Sequence, residues 1–231
     1  VAGDALSFVG SALFLSRIRP QEPPADRATK GSVMAGARFV LGDGIVRSSL
    51  TAVAPVNFFN LMFNALYVLY AVHVLHLKPG VLGVVMGTAA IGSVIGALVT
   101  KRVAARIGIG WAYTLGCLLF TAPLMLWPLA DGPRGLVLAT LFIAEFGCGF
   151  GVMMLDISIA AIFAAVIPDT MRSRVTGAFN AVNYGTRPLG ALLGGVLGTA
   201  LGLRPAMWIA TAGGLAGFLL LPSPLPRYRM P

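Results

Sequence analysis

The sequence predicts an all-α integral membrane protein, and three observations predict it. Apolar stretches close to span length fill the chain, and 57% of its 231 residues are hydrophobic with a mean hydropathy of +0.86. The basic residues collect in alternate gaps between those stretches. A soluble core of this length cannot bury so much apolar surface, so lipid has to act as the solvent. The stretches also lack the period-two alternation of a membrane β-barrel.

The stretches run over 1–16, 48–75, 80–100, 109–130, 135–167, 175–203 and 205–222. Each is near the ~20 residues a helix needs to cross ~30 Å of hydrocarbon. The first opens at Val1 inside an apolar run with no basic segment before it, so it reads as the tail of a span that begins in a longer protein. Residues 17–47 form the one long connection, where Pro20, Pro23 and Pro24 break any helix and Glu22, Asp26, Arg27 and Lys30 keep the chain in water. Within it, Ser32 to Leu41 places Val33, Ala37, Val40 and Leu41 at helical spacing, which predicts a short amphipathic helix along the membrane face. The remaining connections are a few residues long, so the spans over 48–222 are antiparallel neighbours in a six-helix bundle, followed by a tail at 223–231. Two spans carry glycine stripes, Gly83, Gly87, Gly92 and Gly96 in one and Gly190, Gly194, Gly198 and Gly202 in the other. Small residues at that spacing let helix backbones approach closely.

Charge fixes the orientation. Thirteen basic residues fall on one side of the predicted bundle, from Arg17 and Arg19 through Lys101, Arg102, Arg172 and Arg174 to Arg227 and Arg229, against Lys78, Arg134 and Arg204 on the other. The positive-inside rule places the first set in the cytosol, with the long linker and the C-terminus. The net charge of +9 does not point to nucleic acid, because the basic residues sit in short turns without interleaved aromatic side chains. Cys117 and Cys148 lie inside predicted spans, too few for a disulfide framework or a zinc cluster. His73 and His76 share a helix face, but no carboxylate or cysteine accompanies them, and no metal site is expected. Trp111, Trp127 and Trp208 fall near span ends, as interfacial anchors do. No glycine loop ends in Lys-Ser/Thr, so no nucleotide or other cofactor is expected.

Ionisable side chains inside lipid are expensive, which makes each a candidate for function. Asp4, Glu145, Asp156 and Arg187 qualify. At ~1.5 Å per residue, Asp156 sits about 18 Å from Pro168, Arg187 about 20 Å from Arg174 and Asp4 about 20 Å from Arg17, while Glu145 lies about 17 Å from the opposite face. Arg187 is the single intramembrane cation and needs a partner, with Asp156 the first choice and Glu145 the second. The acid left unpaired in hydrocarbon takes up a proton more readily than one in water. A fixed ion pair that merely joins two helices is the competing reading. Asn57, Asn60 and Asn64 occupy one helix face amid Phe58, Phe59, Phe63, Tyr67 and Tyr70, and Asn180, Asn183 and Arg187 repeat the pattern on another span. Such amides need water, a solute or another polar helix, or serve as interhelical glue.

Several segments resemble a known family. Asp4-Ala5-Leu6-Ser7-Phe8, a proline-broken basic linker and Gly36-Ala37-Arg38-Phe39-Val40-Leu41 are similar to the central region of major facilitator superfamily exporters, in the branch that holds macrolide and enterobactin exporters. Val166-Ile167-Pro168-Asp169-Thr170-Met171-Arg172-Ser173-Arg174-Val175 resembles the loop before helix eleven, and Pro188-Leu189-Gly190-Ala191-Leu192-Leu193-Gly194-Gly195 the run that follows it. Ser173 stands where that family usually has Gly, and Ala35 where an acid commonly precedes Gly36.

The resemblance implies that 1–16 ends helix six and that 48–222 holds helices seven to twelve, with an N-terminal six-helix half missing. It implies a multi-pass protein of a bacterial inner membrane that exports a small amphipathic solute in exchange for protons by alternating access. Glu145 and Asp156 are then the candidates for proton coupling with Arg187 tuning them, and Asn57, Asn60, Asn64 and Asn183 for substrate contact. Pro168, Arg172 and Arg174 carry the loop motif. The rival expectation is a non-transporting membrane scaffold. An enzyme would require a clustered His/Asp/Glu or Cys/His set, and the sequence offers none.

Overall fold

Every described element is helical, as unbroken apolar runs require, because in hydrocarbon each backbone N–H and C=O must find its partner within its own segment. The computed structural model describes residue 8 and residues 10–14 and 33–219. Residue 8 and residues 10–14 are helical and belong to a separate unit, Val1–Ser32. Asp4, the linker up to residue 32 and the tail at 223–231 lie outside the described residues.

The second unit contains α1 (Val33–Gly42), α2 (Gly44–His73), α3 (Pro79–Ile107) and α4 (Ile109–Thr121). A 3-10 turn at Ala122–Met125 leads to the short α5 (Leu126–Leu129), then α6 (Arg134–Val166). A second 3-10 turn, Asp169–Met171, precedes α7 (Arg172–Gly185), α8 (Arg187–Ala200) and α9 (Leu203–Leu219). Among the described residues, Gly44–His73, Pro79–Ile107, Ile109–Leu129 and Arg134–Val166 are each long and apolar enough to cross a membrane.

Local chemistry sets these boundaries. Asp43 caps α2, its Oδ1 accepting from the backbone N–H of Ile45 and Val46, each at 2.9 Å, so α2 begins before the predicted start of the span. Pro79 opens α3 at a position where a missing N–H costs nothing. The stretch predicted as one span over 175–203 is two helical pieces that meet at Thr186. Pro188 explains the interruption, since it has no N–H to donate and its ring crowds the carbonyl four residues back. Helical hydrogen bonds still cross the joint, from Thr186 N to Val182 O at 3.3 Å and from Gly190 N to Thr186 O at 3.2 Å.

Glycine contacts decide which helices pack. Added Cβ atoms on Gly92 and Gly149 would collide with the carbonyl oxygens of Phe146 and Ala89, which seats α3 on α6. Ser93 Oγ donates to Gly149 O across the same seam at 3.0 Å. Gly96 of the same stripe meets Phe150 O at 2.6 Å in the same way, whereas Gly83 and Gly87 have nothing within 4 Å of such a Cβ. Gly190 and Gly194 bring α8 onto the backbone of α2 at Phe58 and Met62, whereas Gly202 turns the chain with a φ of +91°. Gly116 and Gly151 join α4 to α6 in the same way. Gly36 of α1 faces Arg174 of α7, where a Cβ would lie 2.5 Å from the carbonyl oxygen. The two motif segments of the sequence therefore meet in space.

Two buried clusters result. One gathers Val46, Leu50, Tyr113, Leu155, Ile162 and Val175 toward the Arg-rich end, and Val40 of α1 joins it. The other gathers Leu66, Tyr70, Leu82, Trp127, Leu141 and Met207 toward the opposite end. Exposed Val84, Ile91, Val94 and Leu98 form one stripe on α3, and Leu189, Leu192 and Val196 another on α8. Lipid tails suit such faces, since they are as apolar as the side chains themselves.

Candidate functional site

A cavity of about 610 Å³ opens among α2, α6 and α7, with Phe120 of α4 contributing. It extends from Arg172 at the start of α7 to Arg187 at the start of α8, so it occupies the half of the bundle nearer the Arg-rich end. Phe163 and Phe179 form an edge-to-face pair in its wall, 4.8 Å between ring centroids. Asn60 and Asn180 line it as well.

Arg187 is tied to α2 rather than to an acid. Its Nη2 donates to Asn57 Oδ1 at 2.9 Å, and its guanidinium carbon stands 4.2 Å from the centre of the Tyr184 ring, a cation–π contact. Asn57 in turn donates from Nδ2 to Asn183 Oδ1 at 2.9 Å and to Val53 O at 3.1 Å. Both donor hydrogens of Asn57 are thus committed, and it serves as the post that holds Arg187 and Asn183 in place. The buried Nε of Arg187 has no hydrogen-bond partner among the described residues.

Asp156 projects from α6 into the same cavity and is exposed there. No Asp156 oxygen comes within the 4.0 Å of Arg187 that defines an ion pair, although the two charges interact through space. The expected contact between them is therefore replaced by the amide of Asn57. The physical reason is azimuth. Asp156 and Arg187 line one cavity, but α8 presents Arg187 to α2, and α6 turns Asp156 toward open space.

Glu145 lies elsewhere. It is buried between α6 and α5, where Trp127 Nε1 donates to its Oε1 at 3.1 Å. The Tyr67 ring packs 4.4 Å from the Trp127 ring, with Phe63 at 6.0 Å on the same indole. The Tyr67 hydroxyl is close to the same carboxyl, yet has no partner in hydrogen-bonding geometry among the described residues. Trp127, expected at the membrane interface, is fully buried. Pro123 and Pro128 account for this, because the turn they impose folds the end of the span inward. Trp111, by contrast, is 54% exposed.

The remaining expected residues are distributed as follows. Asn64 is exposed outside the cavity wall and donates to Asn60 O at 2.8 Å and to Asn60 Oδ1 at 3.1 Å. Pro168 begins the 3-10 turn before α7. Arg172 pairs with Asp169 at 2.7 Å and reaches Ala164 O at 3.4 Å, at the mouth of the cavity. Arg174 backs onto Gly36. His73 Nδ1 sits 3.1 Å from Leu69 O, and His76 occupies a left-handed turn with a φ of 51°.

Sequence reasoning missed two contributors. Tyr184, which covers Arg187, carried a signal in its i+3 spacing to that residue. Arg204 had none: it donates from Nε to Tyr70 Oη at 3.2 Å and from Nη2 to Ala130 O at 3.1 Å, clamping three segments at the end away from the cavity.

No curated protein and no solved structure matches the chain. The profile of the Major Facilitator Superfamily matches residues 5–187 and residues 48–229. With membrane-length helices packed through glycine seams around a largely apolar cavity that holds Asp156, Arg187 and several amides, the chain belongs to the Major Facilitator Superfamily of membrane transporters.

Proposed function

We propose that the chain is the C-terminal half of a secondary active transporter of a bacterial inner membrane, which exports a small amphipathic compound in exchange for protons. One observation carries the reading: Asp156 and Arg187 face a single cavity without pairing to each other. Charges at that depth are costly and persist where a pathway uses them. The cavity volume lies in the range of sites for drug-sized ligands.

In this reading α2 is helix seven, α6 is helix ten and α7 with α8 is helix eleven, and an N-terminal six-helix half forms the facing wall. Rocking of the halves gives alternating access, and the positive-inside rule puts the Arg-rich end in the cytosol. Asn60 and Asn183 supply the polar contacts to substrate, Asn57 contributes by holding Arg187 rather than by a free donor, and Asn64, outside the cavity wall, acts only through its bonds to Asn60. Asp156 in the cavity or Glu145 beside Trp127 exchanges the proton, and Arg187 tunes that exchange. The loop with Pro168, Arg172 and Arg174 frames the cytosolic mouth.

The test uses everted membrane vesicles energised with acid inside, and follows accumulation of an amphipathic fluorophore. Glu145→Gln or Asp156→Asn is expected to abolish uphill accumulation while leaving exchange down a gradient. Unchanged uphill transport in both variants refutes the coupling. A scaffold would tolerate the loss of both acids and move no solute in any form.

A further inference from the structure

We infer that the cavity takes a zwitterionic aromatic solute, with an oxyanion docked on Arg187 and an ammonium docked on Asp156. The inference rests on the transporter reading and deepens it by naming a substrate class.

Two opposite charges that face one cavity gain by closing on each other. Here the fold prevents that. Arg187 is held on one side by the 2.9 Å bond to Asn57 and on one face by the Tyr184 ring. Asn57 is itself fixed by Asn183 and the Val53 carbonyl. The Nη1 of Arg187 is neither buried nor bonded among the described residues, so it is the open tine of a fork that matches a carboxylate or similar oxyanion. Asp156 is exposed on the wall contributed by α6 and accepts no hydrogen bond among the described residues.

A solute bearing one charge satisfies one of these groups and leaves the other uncompensated. A neutral amphiphile leaves both. A zwitterion satisfies both together, and the Phe163–Phe179 pair, further along the same cavity wall, gives an aromatic body attached to it a surface to pack on.

The experiment measures binding to the purified protein in lipid nanodiscs by the intrinsic fluorescence of three related quinolones. Norfloxacin carries a carboxylate and an ammonium at neutral pH, its ethyl ester keeps the ammonium alone, and its N-acetyl derivative keeps the carboxylate alone. Norfloxacin should bind about ten-fold more tightly than either derivative, as expected for one charge-assisted contact. Asp156→Asn should erase its advantage over the N-acetyl compound and leave its advantage over the ester. Arg187→Gln should do the reverse, and Arg187→Lys should keep most of the carboxylate preference, which separates lost recognition from lost folding. Equal binding of all three by the wild type, or preferences that survive the substitutions, overturns this inference alone. Absence of binding by all three overturns it together with the amphipathic-substrate reading.

Discussion

Arg187 and Asn57 are 130 positions apart in the chain and 2.9 Å apart in space, the guanidinium of α8 donating to the amide oxygen of α2. The bond joins the glycine-mediated seam between those helices to the head of the cavity. It also lets a half-buried cation persist without an acid against it, because an oriented amide and an aromatic face together replace the missing carboxylate.

Asn57 should consequently matter more to stability than a surface amide. Asn57→Ala removes three hydrogen bonds and strands Asn183 and Arg187, and a loss of about 2–4 kcal/mol is expected. Thermal unfolding in detergent measures it, with Asn64→Ala as the control. Equal effects from the two substitutions would show that the Asn57 bonds carry no weight.

The α3 glycines give a sharper contrast because the sequence makes them look equivalent. Gly92→Ala and Gly96→Ala drive a methyl into the facing backbone of α6, and each should destabilise by about 1–3 kcal/mol. Gly83→Ala and Gly87→Ala meet open space and should be neutral or slightly stabilising through better helix propensity. A uniform response across the four would mean that α3 and α6 do not pack along this seam.

At Glu145, shape and hydrogen bonding separate from charge. Glu145→Gln keeps an oxygen for the Trp127 N–H and should fold like the wild type. Glu145→Leu leaves that buried donor unsatisfied, at a cost of about 1–3 kcal/mol. Unfolding temperatures should fall in that order, and Trp127 fluorescence should shift in the Leu variant alone. If Gln proves as disruptive as Leu, the carboxyl has a structural role that its amide does not fill.

Arg172 tests the mouth of the cavity. Its pair with Asp169 is exposed on both sides, so Arg172→Ala should change stability by less than about 0.5 kcal/mol. Any reduction in solute flux then comes from the cavity edge and not from a weakened fold. A large drop in unfolding temperature would contradict this assignment.

Much of the architecture was legible in the sequence because hydropathy and length govern membrane helices directly. The spans at 80–100, 109–130 and 135–167 fall on α3, α4 with α5, and α6, and the helix predicted from Val33, Ala37, Val40 and Leu41 is α1. Asp156 and Arg187, which a fixed rise per residue sets at similar depth, line one cavity. Rotation about each helix axis was not legible. That angle decides that Arg187 meets Asn57, that Asn64 leaves the cavity wall while Asn60 stays, and that Gly92 touches α6 while Gly87 touches nothing. Trp127 shows a second limit. Its position near a span end predicts an anchor, but two prolines bend the chain and bury the indole against Glu145, a tertiary outcome with no local signature.

The central claim is that the polar surface on α2 and α7 lines a water-filled path inside the membrane. The most direct measurement is thiol labelling in intact membranes, with Cys117 and Cys148 replaced by serine and single cysteines introduced as Asn60→Cys, Asn180→Cys or Val94→Cys. A small hydrophilic maleimide should modify the first two rapidly and the third, on the lipid-facing stripe of α3, hardly at all. Unreactive thiols at 60 and 180, or equal labelling at all three positions, would mean that these amides join helices and do not line a path.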